Sequence, residues 1–168
     1  IVDQLEDRSR FYDLLEVLNI PHVPGAIANS EAELVNFAEQ IGFPVLVRPS
    51  YVIGGSGMSI YKSMSELKSG IKDSVYPILI DQYLPGKEAE VDLAADGIDI
   101  CVPIIAEHIE KAGVHSGDSM AYLPSQTLSA AVKAKLVEYA DKLVKHLNYK
   151  GLMNIQYVIS NEDVYVLE

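Results

Sequence analysis

The sequence predicts an α+β chain in two lobes. Three features lead to that class: amphipathic helical segments lie among short apolar runs in the first half, an Asp96-Gly97 pair joins two apolar-rich runs in the second, and no βαβαβ alternation appears. Asp-Gly between apolar runs is the signature of a tight hairpin, so the second half reads as antiparallel sheet. Pro85-Gly86 marks the seam, giving lobes over residues 1–84 and 85–168.

Taken in order, Asp3 and Glu6 form a capping pair, and Phe11, Leu14, Leu15 and Leu18 repeat at helical spacing before Ile20-Pro21. A helix over about 5–18 follows. Ser30 with Glu33 opens a second helix, whose stripe is Leu34, Phe37, Ala38 and Ile41 and whose end is Gly42. Pro44 enforces extended chain, and Val45-Leu46-Val47 is a short strand leading to Arg48. After the glycine-bearing loop 54–57 come a strand at 58–61, a short helix between Met64 and Val75, and a strand over 77–84. The hairpin pairs 88–95 with 98–106. The polar stretch from Glu107 to Gln126 reads as a loop of the functional kind. A helix then carries Val132, Leu136, Ala140, Leu143 and Leu147 on one face, with Gly151 just past its end. A second hairpin, 154–159 with 164–167, turns at 160–163. The last residues lie at a strand end, an arrangement expected of a piece of a longer protein.

Composition bounds the function. The 168 residues are 49% hydrophobic, enough to build a core. With 13 Lys+Arg against 24 Asp+Glu the net charge is −11, and the acids are spread over both halves. That balance argues against a nucleic-acid partner, whose phosphates need clustered cations. It leaves room for a phosphorylated small molecule, which needs only a few aimed donors. No apolar run approaches the roughly 20 residues of a membrane span, and Ile1-Val2-Asp3-Gln4 has no leader character. Cys101 stands alone between Ile100 and Val102 and reads as a buried core thiol in a reducing compartment, so the expected location is cytoplasmic.

Three groups of residues could carry chemistry. The first is Arg48 with Gly54, Gly55 and Gly57: glycines let backbone amides approach phosphate oxygens, and a guanidinium adds charge-assisted bonds. The same glycines would suit an ordinary hairpin turn. The second is the segment from Glu107 to Ser119, with His108, Gly113, Val114, His115, Ser116 and Asp118, which concentrates hydrogen-bonding groups. It reads as a binding loop, a solvated loop or, with His108 and His115, a zinc site, although no helical His-x-x-x-His spacing occurs. The third is the set of acids and amides that end strands: Asp81, Glu88, Glu90, Asp92, Gln156 and Glu168. Glu90 and Asp92 alternate with Val91 and Leu93 and so share one sheet face, whether solvent-exposed or functional. Gln156 and Glu168, on the two strands of the last hairpin, could approach each other and offer oxygens to Mg²⁺.

Read as a series, these segments resemble the large chain of carbamoyl phosphate synthase. Those that carry the resemblance are Arg48-Pro49-Ser50-Tyr51-Val52-Ile53-Gly54-Gly55, Glu90-Val91-Asp92, Glu107-His108-Ile109-Glu110, Ala112-Gly113-Val114-His115-Ser116-Gly117-Asp118-Ser119 and Gly151-Leu152-Met153-Asn154-Ile155-Gln156. Asp7-Arg8 with Phe11 and Ile41-Gly42-Phe43-Pro44-Val45 fall where that family has them. The resemblance implies a two-lobed ATP-grasp domain, truncated at its C-terminal end. Of the two homologous halves of that large chain, Arg-Pro-Ser-Tyr-Val and Ala-Gly-Val-His-Ser are similar to the second, which phosphorylates carbamate. Ser56-Gly57-Met58 stands where that half commonly has Arg-Ala-Met.

The resemblance implies roles residue by residue. Arg48 and the loop of Gly54, Gly55 and Gly57 would hold the ATP phosphates, with Arg8 as a helper. Gln82 and Leu84 would line the adenine slot, Glu90 would bind the ribose, and Gly113, Val114, His115 and Ser116 would lie along the nucleotide. Gln156 and Glu168 would hold Mg²⁺ or Mn²⁺. The implied partners are the remainder of the large chain and a glutaminase small chain supplying ammonia; the implied products serve pyrimidine and arginine synthesis. Two other readings compete: an ATP-binding fragment without turnover, and another ATP-grasp ligase such as a biotin-dependent carboxylase component.

Overall fold

The structure is a computed structural model, and it describes residues 5, 8–49, 58–72, 74–113 and 119–168. The capping pair Asp3 and Glu6, the glycines Gly54, Gly55 and Gly57, and Val114, His115 and Ser116 lie outside the described residues. The chain divides into two compact units, one joining Ile1–His22 to Pro85–Glu168 and the other formed by Val23–Leu84. One boundary between the units falls at Leu84-Pro85. The first helix differs: it belongs with the second half of the chain.

In the Val23–Leu84 unit the described strands form one antiparallel sheet in the order β1 (Gly25–Ala28), β4 (Ile78–Gln82), β2 (Val45–Pro49), β3 (Ser59–Tyr61). Helix α1 (Arg8–Val17) lies outside this unit, and α2 (Glu31–Ile41) and α3 (Met64–Gly70) within it. Ser30 caps α2 by accepting from the Glu33 amide, and the Glu33 carboxylate returns to the Asn29 amide at 2.8 Å. Ser63 and Glu66 repeat the device at α3, where Glu66 accepts from the Lys62 amide. At the end of α2, Gly42 has φ of 83°, a conformation that favours glycine. The core joins Leu34 and Ala38 of α2 and Leu67 of α3 to Val45, Val47, Ile78 and Ile80 of the sheet.

In the other unit the described strands run in the order β7 (Ala121–Tyr122), β6 (Ile100–Lys111), β5 (Lys87–Asp96), β8 (Lys150–Ser160), β9 (Asp163–Val166), all antiparallel. The Asp96 carboxylate accepts from the Ile98 and Asp99 amides at 2.9 Å and fixes the β5–β6 turn. Helix α4 (Ala130–Leu147) starts at Ser129, whose hydroxyl accepts from the Val132 amide. It buries Val132, Leu136, Ala140, Leu143 and Leu147, the face its periodicity predicts. The left-handed residue at its end is Asn148, with φ of 47°, rather than Gly151, which lies in β8. Phe11, Leu14 and Leu15 of α1 enter the same core as Leu136, Val91, Ile155 and Val166. Immediately after the helix, the Val166 amide donates to the Pro21 carbonyl at 2.9 Å, and His22 bridges to Val166. Apolar burial and this edge pairing together explain why α1 and the residues that follow it to His22 leave the N-terminal lobe that the sequence suggested. Gly86 approaches the Ile159 carbonyl so closely that no Cβ would fit.

Two other expectations change. Strand β6 runs on to Lys111 and β7 pairs with it, so Glu107 and His108 are buried strand residues, not loop residues. Polar side chains are found there because each has fixed partners. Cys101 is exposed: a register irregularity between Asp92 and Ala94 lies opposite it, and Ile100 and Val102 turn toward the core instead. Among the described residues no helix is long and apolar enough to cross a membrane.

Candidate functional site

Period-two alternation along β5 separates two faces. Ala89, Val91 and Leu93 enter the core, so Glu88, Glu90 and Asp92 lie on the opposite face. The β8 register sets Gln156 beside Glu90 and Asn154 beside Asp92. The Asn154 amide nitrogen donates to Asp92 Oδ1 at 2.8 Å and to Glu90 Oε2 at 3.3 Å, and Gln156 Nε2 reaches Glu90 Oε1 at 3.5 Å. From the other neighbour, β6, His108 Nε2 lies 2.9 Å from Glu90 Oε1. Glu90 therefore stands at the centre of a polar ladder across three strands.

The His108 ring makes two further contacts. Its Nδ1 is 2.9 Å from the Ser119 hydroxyl and 3.6 Å from Glu88 Oε2. Glu88 Oε1 accepts from the Gly113 amide at 2.9 Å. Burial pushes the Glu88 carboxyl up from its ordinary range; the charges of Glu90 and Glu168 add to this, and the Gly113 amide and His108 oppose it. Both ends of the 114–118 segment are thus attached to one sheet face, Gly113 by Glu88 and Ser119 by His108.

Glu107 points the other way, because its partner across the ladder is the core-facing Ala89. Its carboxylate accepts from the Gln126 and Thr127 amides at 2.9 and 2.7 Å, from the Thr127 hydroxyl, and from Lys87 Nζ at 3.1 Å. Burial alone would raise it; the Thr127 and Lys87 bonds outweigh that and hold it down at about 2. Glu107 fixes the chain just before α4.

The two residues expected to share a metal are adjacent. The Gln156 amide donates to the Glu168 main-chain oxygen at 2.8 Å, and the Leu167 amide donates back to Gln156 at 2.8 Å. Glu168 also lines, with Arg8, Asn154 and the apolar side chains of Leu5, Phe11 and Leu143, a cavity of about 380 Å³. Arg8 Nε donates to the Tyr12 hydroxyl at 2.7 Å, with the guanidinium carbon 5.2 Å from the ring centre. Among the described residues no group of three or more His, Cys, Asp or Glu converges to hold a metal.

In the Val23–Leu84 unit, Arg48 Nε lies 3.9 Å from Oδ2 of the buried Asp81. Gly25, opposite Asp81 in the ladder, leaves room for that carboxylate, since a Cβ there would overlap it. Gln82 ends β4, where its amide donates to the Pro24 carbonyl at 2.8 Å, and the half-buried Leu84 follows Tyr83, whose amide donates to the Pro44 carbonyl.

Of the members of the polar ladder, Glu88 was among the strand-borne acids and Ser119 closed the candidate segment 107–119, and sequence reasoning missed Asn154 as a site residue. The signal for Asn154 was present: it sits two residues from Gln156, on the same strand face. The pairing of Ser119 with His108, eleven residues away, was not foreseen.

Residues 7–168 match the family described as carbamoyl-phosphate synthase L chain, ATP binding domain. The chain is 60% identical over its full length to the carbamoyl phosphate synthase arginine-specific large chain of Geobacillus stearothermophilus. It is 49% identical, again over its full length, to the chain of the same name from Halalkalibacterium halodurans. It spans 16% of the length of each. Among solved structures, the ADP complex of N5-carboxyaminoimidazole ribonucleotide synthetase is similar, with a TM-score of 0.82 at 15% identity, covering 97% of this chain and 44% of that one. At such identity the likeness shows the fold, which is that of ATP-grasp enzymes.

Proposed function

Because this chain belongs to the family of carbamoyl-phosphate synthase large-chain ATP-binding domains, we propose that it binds ATP with Mg²⁺ and, within a longer large chain, phosphorylates carbamate during carbamoyl phosphate synthesis from bicarbonate, ammonia and ATP. The observation that carries the nucleotide assignment is the family match over residues 7–168. The choice of the carbamate-phosphorylating half rests on Arg48-Pro49-Ser50-Tyr51-Val52 and Ala112-Gly113-Val114-His115-Ser116. In this reading a glutaminase small chain supplies the ammonia.

Within this reading Glu90 accepts from ribose hydroxyls, as its position between donors from the two neighbouring strands suits. Arg48, with Gly54, Gly55 and Gly57 and with Arg8 as helper, donates to phosphate oxygens. Gln82 and Leu84 line the adenine, and Gly113, Val114, His115 and Ser116 lie along the nucleotide. The protein contributes positioning and electrostatics more than covalent chemistry.

Gln156 and Glu168 fit the implied cation. Their main chains are hydrogen-bonded just beyond the β8–β9 ladder, and their side chains carry an amide and a carboxylate oxygen. Few protein oxygens suit Mg²⁺, which keeps water and phosphate as its other ligands. Bound there, the ion would neutralise phosphate oxygens during transfer.

A second reading, nucleotide binding without turnover, is favoured by one observation: the chain spans 16% of its relatives' length. Titration calorimetry separates binding from its absence. ATP with Mg²⁺ should bind saturably at one site, and chelating the metal should weaken it at least about tenfold. Heatless titration in both conditions contradicts either reading; binding in the absence of ADP release on adding carbamate favours the second.

A further inference from the structure

His108 is a buried imidazole with no place in the core. It is 6% exposed and projects from β6 onto the face of the sheet opposite Ala89, Val91 and Leu93. Burying a polar ring is unfavourable unless its nitrogens are satisfied, and here both are. Nε2 lies 2.9 Å from Glu90 Oε1 and Nδ1 lies 2.9 Å from the Ser119 hydroxyl.

Three donors hold Glu90: His108 at 2.9 Å, Asn154 at 3.3 Å and Gln156 at 3.5 Å. The His108 contact is the shortest of these. A glutamate has three side-chain torsions, the last of them broad, so a fixed carboxylate requires neighbours that select one arrangement. Asn154 and Gln156 both approach from β8; His108 alone among the three comes from β6, and so opposes them across the carboxylate.

We propose that His108 is a positioning residue for nucleotide recognition: its Nε2–H orients the Glu90 carboxylate toward ribose hydroxyls while its other nitrogen ties Ser119, at the end of the 114–118 segment, to the same point. It touches neither phosphate nor the reacting atoms. The inference rests on the reading that Glu90 binds the ribose.

The test compares ATP with 2′,3′-dideoxy-ATP, both with Mg²⁺, by calorimetry on this chain and on two variants. His108→Gln places an amide donor near the Nε2 position; His108→Asn places one near Nδ1 and leaves Glu90 without it. Wild type should prefer ATP over the dideoxy nucleotide by at least about tenfold, the range of a hydrogen bond to a charged group. His108→Asn should lower ATP affinity while leaving dideoxy-ATP affinity within about twofold, so that the preference falls below about threefold. His108→Gln should keep most of the preference. A His108→Asn protein with the wild-type preference overturns the inference, as does one weakened equally for both nucleotides, which marks a purely structural role. Failure of wild type to distinguish the two nucleotides overturns the ribose reading of Glu90, and the inference falls with it. Thermal unfolding of both variants verifies that the compared proteins are folded.

Discussion

The Thr127 main-chain amide donates to Oε2 of Glu107 at 2.7 Å, and the Thr127 hydroxyl donates to the other oxygen of the same carboxylate. This clasp joins β6 to the turn before α4, and the Gln126 amide and Lys87 complete it. Removing the carboxylate leaves the donors of two partly buried amide hydrogen bonds and the Lys87 ammonium without their acceptor. Glu107→Ala should therefore destabilise the protein by about 2–3 kcal/mol. Urea denaturation followed by circular dichroism reads the shift in midpoint.

The same carboxylate gives stability a pH signature. Its value falls from 4.5 to about 2 on folding, so the folded state binds the proton less tightly than the unfolded one. The contribution is complete above 4.5 and is lost as pH falls toward about 2. Glu88, whose value is raised, acts with the opposite sign, so the comparison must isolate Glu107. The stability difference between wild type and Glu107→Gln should be constant above about pH 5 and shrink steadily below it. A difference independent of pH across that range contradicts the assignment.

Ser129 serves two partners. Its hydroxyl accepts from the Val132 amide at 3.2 Å and donates to Glu162 Oε2 at 2.6 Å, joining the start of α4 to the β8–β9 turn. Ser129→Ala should cost about 1–2 kcal/mol, toward the upper end of a helix cap because the second bond is lost as well. Ser129→Asp keeps the cap but brings a second carboxylate against Glu162, and should recover less than half of that loss. Thermal melts of the two variants distinguish these outcomes.

Local chemistry made much of this fold legible. Ser30 with Glu33 predicted α2, the spacing from Val132 to Leu147 predicted the buried face of α4, and Asp96-Gly97 predicted the β5–β6 turn, because in each case the partners lie within a few residues. Long-range partners were not legible. Glu107 and His108 look like loop residues until Thr127 and Lys87 satisfy one and Glu90 and Ser119 the other. The placement of α1 depends likewise on a core shared with Ile155 and Val166 and on the Pro21–Val166 hydrogen bond. For the site, alternation put Glu90 and Asp92 on one face, and the pairing of Gln156 with Glu168 followed from the last hairpin. The Arg48 partner Asp81 required knowing that β2 and β4 are neighbours.

The central claim is that nucleotide binds on the face of β5, β6 and β8 that carries Glu90. Hydrogen–deuterium exchange of this chain with and without saturating ATP and Mg²⁺ tests it most directly, because it localises the response along the sequence. Slowed exchange should concentrate in peptides spanning 87–92, 107–120 and 153–157, with α4 over 134–145 unchanged. Protection confined to α4, or no change in any peptide at saturating nucleotide, would contradict it.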